Sequence, residues 1–281
     1  NDADILIAVT ESDELNMLCC TIANQVGHCA TIARVRNPIY YKDLDIVASD
    51  LGLSISVNPD METAAEIANI LKFPFATNVE TFAGGNVEMI SFNISSKSRF
   101  VGRYVKDIFS NSQSALVCTV NRDNEAYIPL GNFLFKEGDE ITILAPKGKL
   151  PQFYKEMGIN PPKVSKILID GGGTTCYYLA KLLTQAKMDI TIIEKNEERA
   201  KILADMFPNI DIIRGDGTDQ SLLLESGIDT ADAICCLTGI DEENIMTSMY
   251  ARTVNKKIKT VTKVNRVELL PVIRSEERRV G

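Results

Sequence analysis

The sequence predicts an α/β protein with two doubly wound parallel sheets in tandem, the first of them truncated, separated by a small α+β module. Three observations lead to this prediction. Strands alternate with helices over 165–265, one string of residues occurs twice, and the stretch between the two copies is rich in strands. Strands that alternate with helices at this spacing are typical of βαβ units, which build parallel sheets.

The composition is that of a globular protein and disfavours two classes of partner. The chain has 281 residues, of which 45% are hydrophobic and 24% charged, and its net charge is −8. An acidic surface repels phosphate backbones and anionic lipid headgroups, so we expect neither nucleic-acid binding nor direct lipid insertion. No apolar run reaches the roughly 18–20 residues that span a bilayer. We therefore expect any work at a membrane to depend on another protein.

The clearest sheet is predicted in the C-terminal part of the chain. Its strands are SKILID (165–170), DITIIEK (189–195), DIIRGDGT (211–218), DAICCLTG (232–239) and TVTKVN (260–265). The segments between them carry apolar residues at helical spacing: GGGTTCYYLAKLLTQAK, NEERAKILADMF, QSLLLESGI and DEENIMTSMYARTV. This order predicts five parallel strands with helices on both faces.

The repeated string places part of a second such sheet at the start of the chain. ADILIAVTESDELN begins at Ala3 and ADAICCLTGIDEEN begins at Ala231. The second copy covers the fourth strand and fourth helix of its sheet, so the first copy predicts the same elements of an earlier sheet. That earlier sheet lacks its opening three βα units. We expect the chain to be a fragment cut inside its first domain; the alternative is a half domain completed by another chain.

Between the copies, 42–73 predicts a short strand and an amphipathic helix that starts at Pro59. Four strands, VEMISFNI, ALVCTVNR, AYIPL and DEITILAP, and one short helix, RFVGRYVKDI, follow, and the Pro-rich segment at 159–164 reads as a linker. The predicted domains are therefore 1–85, 86–158 and 163–273. The charged tail at 274–281 does not continue the pattern, and we suspect that it is non-native.

The cysteines and the histidine give no metal site. The seven cysteines form no C-x-x-C pair, and we interpret them as buried small apolar residues of a protein from a reducing compartment. His28 is the single histidine, and we interpret it as a surface residue. Zinc would need better-spaced ligands.

The segment GGGTTC carries the strongest functional signal. It follows a strand and opens a helix, with Gly171 and Gly173 in the first two places of G-x-G-x-x-G and Cys176 in the third. The first glycine allows a tight turn, and the second lets a pyrophosphate approach the helix N-terminus. Glu194, about 20 residues on, would bind a ribose diol and repel a 2′-phosphate, and Asp216 would meet the adenine end. These features predict a Rossmann-like NAD(H) site; the alternative is a sheet that has lost its ligand.

Three further pairs of residues lie where ligands bind in such sheets. Thr238 and Gly239 end the fourth strand, and Thr10 and Glu11 are their counterparts in the first copy. Arg34 and Lys263 end the fifth strands, where a cation would reach a phosphate or pair with an acid across an interface. The motif D-E-x-N, present in both copies, is equally consistent with a site role and with a helix start that carries acids in its first turn.

These motifs resemble the RCK/KTN family, which includes regulatory subunits of potassium uptake systems. The residues that carry the resemblance are ILIDGGGTTCYYLAKLL, IIEKNEERAKILA, RGDGTD and AICCLTGIDEENIM, with ILIAVTESDELNML and TIARVRNPIY in the first copy. The module that ends in GDEITILAP is similar to the RCK C-terminal subdomain. The resemblance covers nearly all of 1–273 and implies two Rossmann-like N-terminal subdomains around one C-terminal subdomain.

The resemblance also implies a function. Such subunits bind NAD(H), and in some members ATP or ADP, form homodimers or homotetramer rings, and gate a separate integral membrane potassium-translocating subunit at the inner face of the plasma membrane. The helix at 61–72 would be the crossover between subdomains. By position, the nucleotide contacts would be Gly171, Gly172, Gly173, Thr174, Thr175, Glu194, Lys195, Asp216, Thr238, Gly239 and Lys263, with Thr10, Glu11 and Arg34 in the first copy.

Three functions are therefore considered. The favoured one is a regulatory binding module without catalytic activity. The alternative is a cytosolic regulatory region of a potassium channel or antiporter, since it would couple nucleotide binding to a conformational change in the same way. An NAD-dependent dehydrogenase is disfavoured, because the small module has no histidine and no evident Cys–His or Lys–Tyr arrangement.

Overall fold

The computed structural model describes residues 3–96, 98–109, 114–123, 125–157 and 163–269. The predicted linker at 159–164 lies mostly outside these residues, and the predicted tail at 274–281 lies wholly outside them. The chain divides into two compact units, one of residues 1–68 with 165–281 and one of residues 69–164.

The first repeat forms a three-stranded parallel sheet in the order β1-β2-β3. Its elements are β1 (Ile5–Ala8), α1 (Asp13–Gly27), β2 (Ala30–Arg34), α2 (Pro38–Val47), β3 (Ile55–Val57) and α3 (Pro59–Lys72). Helix α2 was not predicted. Its N-cap is Asn37, whose side chain accepts a hydrogen bond from the amide of Ile39, and Pro38 lies in its first turn. Both residues are typical of a helix start, but the sequence on either side resembles strands.

One face of this sheet is packed and the other is bare. The packed face meets a core that includes Ala33, Val35 and Leu44. On the opposite face, the side chains of Ile5 and Ile7 are 56% and 60% exposed. Both faces of a doubly wound sheet are normally covered, so the described part of the first repeat lacks one layer.

The middle module is a five-stranded antiparallel sheet in the order β4-β5-β8-β6-β7. Its elements are β4 (Asn78–Phe82), β5 (Val87–Asn93), α4 (Val105–Phe109), β6 (Leu116–Arg122), β7 (Glu125–Tyr127), β8 (Glu140–Pro146) and α5 (Leu150–Met157). Strand β4 and helix α5 were not predicted, and the predicted domain boundary at 85/86 falls inside the β4–β5 hairpin. The core is aromatic, with Phe100, Phe135 and Phe153 fully buried.

The second repeat confirms the predicted doubly wound parallel sheet. Its strands run in the order β11-β10-β9-β12-β13, all parallel. The elements are β9 (Lys166–Asp170), α6 (Thr174–Gln185), β10 (Asp189–Glu194), α7 (Glu197–Met206), β11 (Asp211–Arg214), α8 (Gln220–Glu225), β12 (Ala233–Cys236), α9 (Asp241–Val254) and β13 (Lys259–Thr262). All four residues of β12 are buried, because helices cover both faces of this central strand.

The cysteine and histidine predictions are mostly confirmed. All seven thiols are free, and five are buried, whereas Cys19 and Cys118 are only partly buried, so the prediction is wrong for those two. His28 is exposed and ends α1 in a left-handed conformation.

A buried asparagine explains why the repeated string ends in D-E-x-N. In the second repeat the Asn244 side chain is fully buried. Its Oδ1 accepts from the amide of Thr238 at 3.0 Å, and its Nδ2 donates to the carbonyls of Thr238 and Lys263 at 3.1 and 3.0 Å. In the first repeat, Asn16 makes the same contacts with Thr10 and Arg34. In each repeat, one asparagine side chain thus joins the ends of two neighbouring strands: β12 and β13 in the second repeat, and β1 and β2 in the first.

The aspartate of the same motif holds the chain just beyond the fifth strand. Asp241 accepts hydrogen bonds from the amides of Asn265 and Arg266, and in the first repeat Asp13 accepts from the amides of Arg36 and Asn37. Of the two interpretations of D-E-x-N, the structure therefore supports the structural one for its Asp and Asn. We call the paired Asp and Asn of each repeat the strand clamp.

Asn244→Ala should lower the free energy of unfolding by roughly 1–3 kcal/mol, because it leaves partly buried backbone groups of Thr238 and Lys263 without partners. Urea unfolding measures this loss. Asn209→Ala is the matched control, since Asn209 is exposed and should tolerate the change within about 0.5 kcal/mol. Equal stability of the two variants would contradict the clamp.

Candidate functional site

A cavity of about 370 Å³ opens at the carboxyl ends of the strands in the second repeat. It lies where β9 has β10 on one side and β12 on the other, so the strand order reverses at this point. Ligands bind in such sheets at this switch point. The lining residues are Asp170, Gly171, Gly172, Gly173, Ile193, Glu194, Lys195, Gly215, Asp216, Gly217, Thr218, Leu237, Thr238, Gly239, Glu243 and Lys263.

The three glycines of the turn after β9 have different physical roles. Gly171 has a φ of +102°, and a Cβ there would lie 2.8 Å from the amide nitrogen of Thr238. At Gly172 a Cβ would lie 2.5 Å from Cδ1 of Leu203. A Cβ at Gly173 would meet nothing within 4 Å. Packing therefore demands the first two glycines, whereas the third leaves open space.

That open space faces the start of α6. Gly173 is the N-cap of this helix, and no side chain caps it. The first-turn N–H groups of a helix lack intrahelical partners and, with the helix dipole, favour an anion. The arrangement can hold a phosphate or pyrophosphate against the backbone.

Two side chains hold the glycine turn in place. The carboxylate of Glu194 accepts from the amides of Gly172 and Asn196, each at 2.7 Å. Arg199 donates from Nε to the carbonyl of Gly172 at 2.6 Å. Glu194 was predicted from its spacing, but Arg199 was missed. The sequence feature that could have identified Arg199 is its position in the first turn of α7, the helix that follows β10.

The predicted residues Lys195 and Asp216 pair with each other beside the cavity. Their charged atoms are 2.5 Å apart. This hydrogen bond, with further ones from Thr218, lowers the pKa of Asp216 to about 2. The pair is therefore charged at neutral pH and close to neutral in sum.

Asp170, which the sequence did not single out, lies at the floor of the cavity. Its side chain is 3% exposed, and no described residue donates a hydrogen bond to its carboxylate. A Cβ at Gly217 would overlap this carboxylate, so the backbone there packs directly on it. Burial, followed by the charges of Asp216, Glu243 and Glu194, raises the pKa of Asp170 to about 7.

The structure brings most of the predicted site residues together. The predicted residues in this cavity are Gly171, Gly172, Gly173, Glu194, Lys195, Asp216, Thr238, Gly239 and Lys263. Thr174, Thr10 and Glu11 do not line it. Arg34 and Thr175 instead line a second cavity, to which Lys263 also contributes.

Cys176, in the third glycine place, acts as a packing residue. It is fully buried in α6, and burial raises the pKa of its thiol to about 12. A neutral thiol of this size fits where the fingerprint has glycine, so the departure leaves the cavity open.

The described residues show neither a metal-binding cluster nor a membrane-spanning helix. No group of three or more His, Cys, Asp and Glu side chains is arranged there to hold a metal ion. No described helix is long and apolar enough to cross a membrane.

Asp170→Asn should stabilise the folded chain more at pH 8 than at pH 5. A folded-state pKa of about 7, above the ordinary 3.8, means that the wild-type chain loses stability as pH rises from about 4 to 7. The loss is at most about 1.4 kcal/mol per unit of the shift. Thermal unfolding across this range measures it, with Asp205→Asn, an exposed aspartate on α7, as the control. A parallel pH profile for Asp170→Asn and wild type would refute the raised pKa.

Comparison with known proteins confirms the resemblance to the RCK/KTN family. The TrkA-N domain model matches residues 1–59 and 167–277, and the TrkA-C domain model matches residues 89–158. The solved structure of the GsuK channel bound to NAD aligns with a TM-score of 0.67 over 97% of this chain and 47% of that chain. At 18% identity, this likeness shows the fold.

Two curated relatives come from Methanosarcina mazei. Trk system potassium uptake protein TrkA homolog 2 is 32% identical over 280 residues, covering 96% of this chain and 62% of the relative. TrkA homolog 1 is 33% identical over 279 residues, covering 96% of this chain and 68% of the relative. The chain thus spans about two thirds of the length of these relatives. With TrkA-N matches on either side of a TrkA-C match, the chain belongs to the TrkA family.

Proposed function

We propose that this chain is part of a cytosolic regulatory subunit that binds NAD(H) and gates a potassium uptake transporter. The observation that carries the proposal is the open space at Gly173 in front of the uncapped start of α6, with Glu194 beside it. The names of the relatives, which refer to potassium uptake, and the NAD named with the GsuK structure support the same function.

In this proposal each part of the cavity binds one part of the dinucleotide. The backbone at Gly173 and the first turn of α6 hold the pyrophosphate. The carboxylate of Glu194 accepts from the ribose hydroxyls and repels a 2′-phosphate, which favours NAD(H) over NADP(H). Thr238 and Lys263 also line the cavity, and their hydroxyl and ammonium groups can meet the other ribose and its phosphate. ATP or ADP would use the same adenine end and helix start.

The binding energy then serves a conformational equilibrium and not a chemical step. Coupling between two sites is typically about 1–3 kcal/mol, and it needs only different affinities for two states. The dehydrogenase alternative predicts turnover of a hydroxy acid or aldehyde with NAD. Turnover that Gly173→Val abolishes would establish that alternative and exclude a purely regulatory role.

Assembly into a homodimer or homotetramer ring is supported by exposed apolar side chains on two equivalent helices. On α1, the exposed set has helical spacing and consists of Leu15, Leu18, Ile22 and Val26. On α9, Met246 and Met249 are 69% and 45% exposed. Apolar stripes of this kind mark protein–protein contacts. We propose that the ring docks on an integral membrane potassium-translocating subunit at the inner face of the plasma membrane.

Potassium flux tests the gating proposal directly. The full-length subunit and its membrane partner, reconstituted in vesicles, should show a flux that NADH changes severalfold. The flux should lose this response when the subunit carries Gly173→Val. If the subunit binds NADH but the potassium flux is the same with and without NADH, gating by this nucleotide is excluded.

Gly173→Val should abolish NADH binding and leave the fold intact. The backbone φ of −69° suits any residue, and a Cβ there meets no protein atom within 4 Å, so the added side chain enters the space that the pyrophosphate needs. Calorimetric titration should show at least a 100-fold loss of affinity with an unchanged melting temperature. Gly131→Val, at a glycine outside the cavity, is the control, and NADH binding to Gly173→Val at wild-type strength would overturn the assignment.

Glu194→Ala should weaken NADH binding about tenfold and narrow the preference for NADH over NADPH. The change removes an acceptor for the ribose hydroxyls and a negative charge that repels a 2′-phosphate. Titration with both dinucleotides measures the two effects, and Glu198→Ala, an exposed acid in the next helix, should alter neither. Unchanged affinities for both dinucleotides would remove Glu194 from the site.

A further inference from the structure

A second cavity, of about 460 Å³, lies within the first compact unit, between the two repeats. The first repeat contributes Arg34, Arg36, Pro59, Asp60, Thr63 and Ile67, and the second contributes Thr175, Leu237, Val261, Thr262, Lys263, Val264 and Asn265. Its size is within the roughly 300–1,000 Å³ of small-molecule sites. We call it the inter-repeat cavity.

The inter-repeat cavity is positively charged in an acidic protein. Arg34, Arg36 and Lys263 line it, and Asp60 is the one acid among its lining residues. None of the three cations forms an ion pair with a described residue, although the whole chain has a net charge of −8. Three unpaired cations that converge on one cavity repel each other, and an anion between them would remove this cost.

The donors of the two arginines are only partly used. Arg34 donates from Nη2 to the carbonyl of Thr10 at 2.8 Å, but its Nε is buried and has no acceptor. Arg36 reaches the carbonyl of Glu11 only at 3.5 Å. A buried donor without a partner costs free energy. The guanidinium fork matches the oxygens of a phosphate.

Buried polar contacts fix the walls of the inter-repeat cavity. The hydroxyl of Tyr178 donates to the carbonyl of Arg36 at 3.1 Å and accepts from the Asn58 amide at 2.8 Å. Thr175 donates from Oγ1 to the carboxylate of Asp60 at 2.5 Å. These contacts join α6 to the first repeat, so the cavity is preorganised and not a chance gap between surfaces.

We propose that the inter-repeat cavity binds a phosphate-bearing anion, held mainly by Arg34 and Arg36, at a site that adjoins the cavity proposed above for NAD(H), which we call the nucleotide cavity, with Lys263 between the two. Arg34 and Lys263 occupy equivalent positions in the two repeats, at the ends of β2 and β13, so each repeat supplies one of these cations. The two cavities share Leu237 and Lys263. A phosphate here is either a free anion or the terminal phosphate of a nucleotide in the neighbouring cavity, and the proposal commits to the free anion.

Calorimetric titration of the chain with inorganic pyrophosphate tests the site. Arg34→Gln and Arg36→Gln should each weaken pyrophosphate binding at least tenfold. Lys257→Gln removes an exposed positive charge outside both cavities and should change it less than twofold. Gly173→Val, which blocks the start of α6, should leave the arginine-dependent pyrophosphate binding unchanged even if it removes a second binding event at α6, so failure of the NAD(H) proposal and failure of this one are distinguishable. Thermal melts verify that each variant is folded.

Three results would overturn the proposal. One is loss of pyrophosphate binding in Gly173→Val but not in the arginine variants, since the anion would then sit at the start of α6. Another is weaker ATP binding in the arginine variants with unchanged pyrophosphate binding, which would assign the phosphate to the nucleotide. The third is an equal loss of pyrophosphate affinity in Lys257→Gln, which would show that the affinity depends on the net charge of the chain and not on this cavity. If Arg34→Gln misfolds, the pyrophosphate affinity of Arg36→Gln decides between the two outcomes.

Discussion

The strand clamp is the interaction on which the rest of the structure depends. In each repeat a buried asparagine bonds the backbone at the ends of two neighbouring strands, and an aspartate holds the chain just beyond the second of them. In the second repeat this contact positions Thr238 and Lys263, which form one wall of the nucleotide cavity. In the first repeat it positions Arg34, which enters the inter-repeat cavity. The repeated sequence is thus a repeated geometry at the strand ends.

The nucleotide cavity combines an open backbone with a controlled set of charges. The glycine turn is held by Glu194 and Arg199, so hydrogen bonds within the protein fix the start of α6. Lys195 and Asp216 neutralise each other. Asp170, buried beneath the turn with a pKa near 7, is uncharged in part at neutral pH. In its protonated form Asp170 adds no negative charge to the cavity.

Sequence reasoning predicted the second repeat well and the first repeat and middle module less well. Strands β9 to β13 are buried apolar runs with clear turns between them, so local pattern and fold agree. Helix α2, strand β4 and helix α5 were missed because their residues do not show the periodicity of the element that they form clearly enough to be read locally. Tertiary contacts decide such elements. Cys19 and Cys118 are only partly buried, since burial depends on which neighbours the fold supplies.

The sequence by itself determined the βαβ order, the glycine turn and the acid at the end of β10. Each of these features is encoded by residues close together in the chain, where spacing has direct geometric meaning. Only the tertiary structure decided that Asp170 is buried without a hydrogen-bonding partner, that Arg199 holds the glycine turn, and that Arg34, Arg36 and Lys263 face one cavity. The two arginines and Lys263 lie more than 200 positions apart along the chain. Their convergence comes from the packing of one repeat against the other, and no local pattern records it.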